Sequence, residues 1–162
     1  MSEWVLNEST ILIDLVGKTK EDILEVMGRN MVDHGLVKES YVDAVIKREG
    51  EYSTGLPTGG VAVAIPHTDV EHVRRKSISV AVLRHPVEFG VMGGAPTETV
   101  PVKVVFMLAM DEAHSQLKLL QQLMRILQSE EKLQKIVKEM NPTTLKTYLT
   151  DQLTCLSDEG GE

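Results

Sequence analysis

Ser53-Thr54-Gly55-Leu56-Pro57-Thr58-Gly59-Gly60, running into Val61-Ala62-Val63-Ala64-Ile65-Pro66-His67, is the stretch on which the fold turns. Three glycines and a proline within eight residues make its first part a loop. Residues 61–65 are uniformly apolar and have the length of a short buried strand. Pro66 lacks the amide donor needed to continue that strand. His67 is therefore expected just past a strand tip, where side chains of an α/β sheet face a cleft.

Working outward, residues 11–15 alternate weakly and predict a first strand. Thr19 followed by Asp22 forms a capping-box pattern. Ile23, Val26, Met27 and Met31 then recur at helical spacing, and Gly35 is placed to end that helix. A second helix is expected over 39–49, with Val42, Val45 and Ile46 inward, Arg48 in its last turn and Gly50 as terminator. Beyond the quoted stretch, residues 77–83 predict a strand, 87–89 an edge, and 102–109 the most buried strand. Residues 90–101 form a glycine- and proline-bearing connection. Asp111 reads as an N-cap. The helix after it, 112–128, is expected to carry Leu117, Leu120, Met124 and Leu127 on one face. Two short helices, 129–139 and 142–149, complete the pattern. Interleaved helices and strands predict an α/β fold: one domain over 1–156, a central mixed β-sheet flanked by helices on both faces, and a flexible tail at 157–162.

The 162 residues carry 17 basic and 24 acidic side chains, a net charge of −7 with histidines neutral. That balance argues against a nucleic-acid or anionic-membrane surface, which needs a basic footprint. The single cysteine, Cys155, leaves no internal disulfide and suits a reducing cytosol. The opening MSEWVLNEST lacks a basic segment followed by an apolar run, so no signal peptide is expected. The longest apolar stretch, 104–110, is too short to span a bilayer. A cytoplasmic protein without direct membrane insertion is expected.

The chemistry must come from a few side chains. Of the five histidines, His34, His67, His72, His85 and His114, two stand out. His67 follows the proline-terminated strand. His114 falls in the first turn of a helix that itself follows the buried strand, where free amides and the helix dipole favour an anion. Arg48 is an anion clamp or else a surface residue that complements a helix C-terminus. His67, Asp69 and His72 raise a metal-dependent hydrolase as a third reading. However, the histidines lie five apart, where the H-E-x-x-H arrangement needs four. No metal or other cofactor is expected. Cys155 has no phosphate-cradling loop beside it and reads as an ordinary thiol. No Walker loop, G-x-S-x-G elbow or dinucleotide fingerprint is present.

Taken together, Lys47-Arg48-Glu49, Ser53-Thr54-Gly55 and Val63-Ala64-Ile65-Pro66-His67 resemble the signature of the fructose/mannitol-type enzyme IIA family of the bacterial phosphoenolpyruvate-dependent sugar phosphotransferase system. Phe106-Met107-Leu108-Ala109, leading to His114 and then Leu119-Leu120 and Leu123, is similar to the strand and helix that bring in that family's second histidine. The resemblance covers about residues 5 to 150. The loop 55–60 and the sequence Ile65-Pro66-His67-Thr68-Asp69 look most like the galactitol-type branch. The resemblance implies a relay in which phosphorylated HPr donates to His67. His67 then passes the group to a cysteine of enzyme IIB, and IIC, at the membrane, takes in the sugar; IIB and IIC would be separate chains. It further implies phosphoryl stabilisation by His114 and Arg48. A second reading keeps the same phosphorylated histidine but makes the protein a regulator that acts by binding other proteins.

Overall fold

A computed structural model of the chain describes residues 4–58, 60–111 and 113–153, with the backbone alone for 113–116. The expected tail at 157–162 and Cys155 lie outside the described residues.

Five strands form one mixed sheet in the order β1-β4-β5-β3-β2: β1 (Ile11–Leu15), β2 (Gly55–Leu56), β3 (Ala62–Ala64), β4 (Ser77–Gly90) and β5 (Thr99–Ala109). The pairs β1/β4 and β3/β5 are parallel, whereas β4/β5 and β2/β3 are antiparallel. Residues alternate between the two faces of the sheet, as the pleat requires. Val63, Ile65, Val80, Val82, Val104, Phe106 and Leu108 pack against α3 (Ala113–Leu127), α4 (Glu130–Lys138) and α5 (Pro142–Gln152). Ala62, Ala64, Ala81, Val105, Met107 and Ala109 pack on the other side against α1 (Lys20–Asp33) and α2 (Ser40–Glu51). Helices thus cover both faces, as expected from the interleaving. Central strands buried on both sides read as continuous apolar runs, which is why 102–109 was legible as a buried strand, although 77–83 is buried at every position and Lys103 is not.

Local signals account for much of this. The Thr19 side chain accepts from the Asp22 amide and the Asp22 carboxylate accepts from the Thr19 amide, so the capping box closes. Gly35 follows the end of α1 with a φ of +71°, a conformation that glycine adopts without penalty.

Several expectations need correction. Gly50 lies inside α2, which runs on to Glu51 and closes at Tyr52 by the Tyr52 N–H to Arg48 C=O bond. One glycine in a helix costs only about 1 kcal/mol, too little to stop it. Segments 77–83 and 87–89 belong to a single strand, β4, whose register against β5 shifts between Val82 and Val87. The loop at 53–60 contains the two-residue strand β2. On α1, Leu24 is buried and Val26 is 43% exposed. On α3, Leu127 is buried and Leu120 and Met124 pack half-buried against the core as expected, joined among the described residues by buried Leu119, Leu123 and Ile126, while Leu117 is 61% exposed. Both helices carry apolar residues on more than one side, so spacing alone does not select the face that meets the sheet.

The two faces differ in what they can lose. Phe106→Ala, at the centre of the layer under α3–α5, should lower the unfolding free energy by about 3–5 kcal/mol. Leu117→Ala should change it by less than about 0.5 kcal/mol, as for an exposed side chain. Denaturant melts of the two variants test this assignment of faces, and comparable losses would contradict it.

Candidate active site

The topology gathers the candidate residues at one end of the sheet. Because β3 and β5 run parallel, both chains leave the sheet at the same edge. From β3 the chain passes through Ile65 and Pro66 to His67; from β5 it passes through Met110 and Asp111 into α3, with His114 in the first turn. The Leu108 N–H donates to the Pro66 carbonyl at 3.0 Å, fastening the segment before His67 to the neighbouring strand. The buried Tyr41 hydroxyl donates in turn to the Leu108 carbonyl at 2.6 Å. The His114 side chain lies outside the described residues, so only its backbone position is assigned.

His67 is half-buried, and its Nδ1 lies 3.0 Å from the Ile65 carbonyl oxygen. A carbonyl can only accept, so Nδ1 carries the proton. Nε2 is left with its lone pair. Burial holds the imidazole below its ordinary value of 6.5, and the Arg48 charge pushes the same way; the Ile65 bond and Asp69 pull it back up. The net effect favours the neutral ring, the form that a nucleophilic nitrogen requires.

Arg48 lies in the last turn of α2. With Ala44, Lys47, Glu51, Thr68, Asp69 and His72 it lines a cleft of about 270 Å³ that abuts the residues following His67. Among the described residues no carboxylate lies within ion-pair distance of Arg48. Its guanidinium instead stands 5.1 Å from the ring centroid of Tyr52. It is charged, partly exposed and held by stacking, so its donors remain available to an incoming anion. The remaining candidate, His72, is engaged elsewhere: Nδ1 lies 2.8 Å from the Ser40 hydroxyl and Nε2 lies 3.6 Å from Glu71. Among the described residues, no three His, Cys, Asp or Glu side chains are grouped to share a metal ion.

Sequence reasoning missed the buried polar pair beneath the site. Glu49 is 1% exposed and Thr54 is 5% exposed. The Thr54 amide and hydroxyl both donate to the Glu49 carboxylate, at 2.8 and 2.9 Å. The Thr54 Oγ1 accepts from the Ile65 amide at 3.1 Å. Burial pushes the Glu49 carboxyl above its ordinary value, and the two Thr54 donors pull it back in part. A signal for it existed: Val42, Val45 and Glu49 share the inward face of α2, so an acid occupies a core position. Glycine also has a role here. A Cβ on Gly55 would run into the Gly90 carbonyl, and one on Gly90 would run into the Ser53 side chain. The segment that carries Thr54 is thus pressed directly onto the end of β4.

Comparison with known proteins shows the family and the fold. The sequence model of the family described as phosphoenolpyruvate-dependent sugar phosphotransferase system, EIIA 2, matches residues 4–152. The galactitol-specific EIIA component of the phosphotransferase system of Escherichia coli (strain K12) is 30% identical over 131 residues, covering 81% of this chain and 85% of that protein. The crystal structure of IIA mannitol from Escherichia coli superposes with a TM-score of 0.71 at 20% identity, covering 93% of this chain and 99% of the other. The mannitol IIA in its complex with phosphorylated enzyme IIB, also from Escherichia coli, gives 0.67 at 22% identity over 93% of this chain and 98% of that one. The chain therefore belongs to the EIIA 2 family of the phosphoenolpyruvate-dependent sugar phosphotransferase system.

Proposed function

We propose that the protein is a phosphocarrier that accepts a phosphoryl group on Nε2 of His67 from phosphorylated HPr and delivers it to a cysteine of an enzyme IIB. The observation that carries this reading is the His67 ring itself, whose Nδ1 is tied to the Ile65 carbonyl, so that in the neutral ring the lone pair lies on Nε2. In acceptance, the Nε2 lone pair forms the new N–P bond as the bond to the donor histidine breaks. In delivery, a cysteine thiolate forms an S–P bond as the Nε2–P bond breaks, which restores the neutral ring. Both are in-line transfers, in which the protein chiefly positions the group and neutralises charge on the equatorial oxygens. Arg48, whose charge acts on the His67 ring, and His114, on the first turn of α3, are the residues proposed to share that charge. No cofactor enters the scheme.

Partners are HPr and enzyme IIB, with IIC at the membrane, each as a separate chain. The match to a galactitol-specific EIIA supports a sugar of that class, taken up by a system this protein serves from the cytoplasm. Among the described residues no helix is long and apolar enough to cross a membrane.

His67→Ala should fold as the parent does, because a half-buried residue at the sheet edge adds little to either core. It should take no label from radiolabelled phosphoenolpyruvate in the presence of enzyme I and HPr. Full labelling of this variant refutes the proposal.

The pH dependence has a defined sign. His67 titrates below 6.5, so the neutral, nucleophilic ring persists under mildly acidic conditions. The single-turnover rate of acceptance should fall as pH is lowered, with a midpoint below 6.5. NMR titration of the ring should give an upward shift in Arg48→Gln, which loses a repelling charge. It should give a downward shift in Asp69→Asn, which loses an attracting one. Shifts of the opposite sign contradict the electrostatic assignment.

Arg48→Lys keeps the charge and loses the planar fork that binds two phosphate oxygens at once. Transfer from the phosphorylated protein to enzyme IIB should slow by more than acceptance does, while the thermal melt stays within a few degrees of the parent. Unchanged transfer in this variant reduces Arg48 to a partner of the helix dipole, worth about 0.3–1 kcal/mol of stability.

A further inference from the structure

Glu49 is a carboxylate in the core that the phosphoryl-transfer scheme does not use. Its surroundings define its state and its direction. The Ile65 amide can only donate, so the Thr54 Oγ1 is the acceptor in that bond, and the Thr54 hydroxyl proton must point elsewhere. It points to Glu49 Oε1, while the Thr54 amide points to Oε2. Two donors on two oxygens are matched by an ionised, acceptor-only carboxylate.

The position of this pair gives it meaning. Thr54 stands immediately before β2 and Ile65 immediately after β3, where the two strands pair Gly55 with Ala64 and Leu56 with Val63. The Thr54 hydroxyl takes the place of a backbone carbonyl as the ladder ends. The residue it holds, Ile65, is the one whose carbonyl fixes the His67 ring. On the other side, Glu49 is the residue after Arg48 on α2. A buried carboxylate is expensive, and an apolar pair of similar volume would serve the core at least as well. The charge sits at the junction between the helix that carries the cation and the strand that carries the nucleophile.

We propose that Glu49 and Thr54 are positioning residues for His67, acting through a hydrogen-bond chain from the Glu49 carboxylate by way of Thr54 and the Ile65 main chain to His67 Nδ1, which also ties the Arg48 turn of α2 to the nucleophile. The chain sets the ring tautomer and the direction of Nε2. It rests on His67 as the acceptor for its consequence in phosphoryl transfer, though not for its effect on the ring.

The test reads those two consequences separately. Nitrogen-15 NMR of the histidine side chains should show His67 of the unsubstituted protein protonated on Nδ1. In Glu49→Gln, a near-isosteric change that puts an amide donor against the Thr54 donors, and in Thr54→Val, the ring should become a mixture of tautomers. The maximal single-turnover rate of acceptance from phospho-HPr should fall roughly tenfold or more, since displacements of about 1 Å can cost 10²-fold. The half-saturating HPr concentration should stay within about threefold, because the docking surface is untouched. Thr54→Ser, which retains the hydroxyl, should restore both the tautomer and the rate. Folded variants with an unaltered His67 ring and an unaltered rate overturn the proposal, even if their melting temperatures fall. An Nε2-protonated His67 in the unsubstituted protein overturns it as well, whether or not the variants fold. A shifted tautomer together with a phosphoryl group found elsewhere than on His67 supports the positioning role and refutes the carrier reading instead.

Discussion

The parallel pairing of β3 with β5 is the constraint on which the site depends. β3 is only three residues long and could not be stable alone. Its position comes from β5 on one side and β2 on the other, and from the two hydrophobic layers above and below. Parallel strands must leave the sheet at the same end. That places His67 and the first turn of α3 side by side in topology although 46 positions separate His67 from Ala113 in the chain. Proline at position 66 then ends the strand, and its carbonyl, still held by Leu108, keeps the departing segment against the sheet.

The electrostatics of the edge follow from partial burial. A fully exposed histidine would share its lone pair with solvent and titrate near 6.5; a fully buried one would be out of reach of a partner protein. His67 is half-buried, with one nitrogen committed to a backbone carbonyl and a guanidinium near enough to disfavour the imidazolium. Arg48 itself is stacked on Tyr52 and unpaired with any described carboxylate. A cation fully neutralised by its own acid would have little left for a transferring group. The arrangement suits a carrier, which must hold phosphate without holding it tightly.

How far the sequence foretold this depended on whether the determining contact was local. The Thr19–Asp22 capping box, the Gly35 stop and the Pro66 strand end act within a few residues, and each was legible. So was His67, because proline and an apolar run fix its place without reference to the rest of the fold. The buried face of α3 was legible in part: Leu120, Met124 and Leu127 meet the core, but Leu117, Leu119 and Leu123 offer further apolar sides and only the sheet decides between them. β2 was hidden by its length of two residues and by its dependence on the close approach of Gly55 to Gly90. Glu49 was visible as an acid on an apolar helix face, but its partner Thr54 lies in a glycine-rich segment that has no periodicity to reveal an inward side chain. Polar contacts made across elements leave little trace in a single sequence.

The central claim is that one nitrogen of one residue carries the phosphoryl group. The most direct measurement is phosphorus–nitrogen NMR on nitrogen-15-labelled protein phosphorylated with phosphoenolpyruvate, enzyme I and HPr. The account predicts a single phosphohistidine signal, coupled to Nε2 of His67, which disappears when enzyme IIB is added. A phosphoryl group on Nδ1 of His67, on any other histidine, or absent altogether would contradict it.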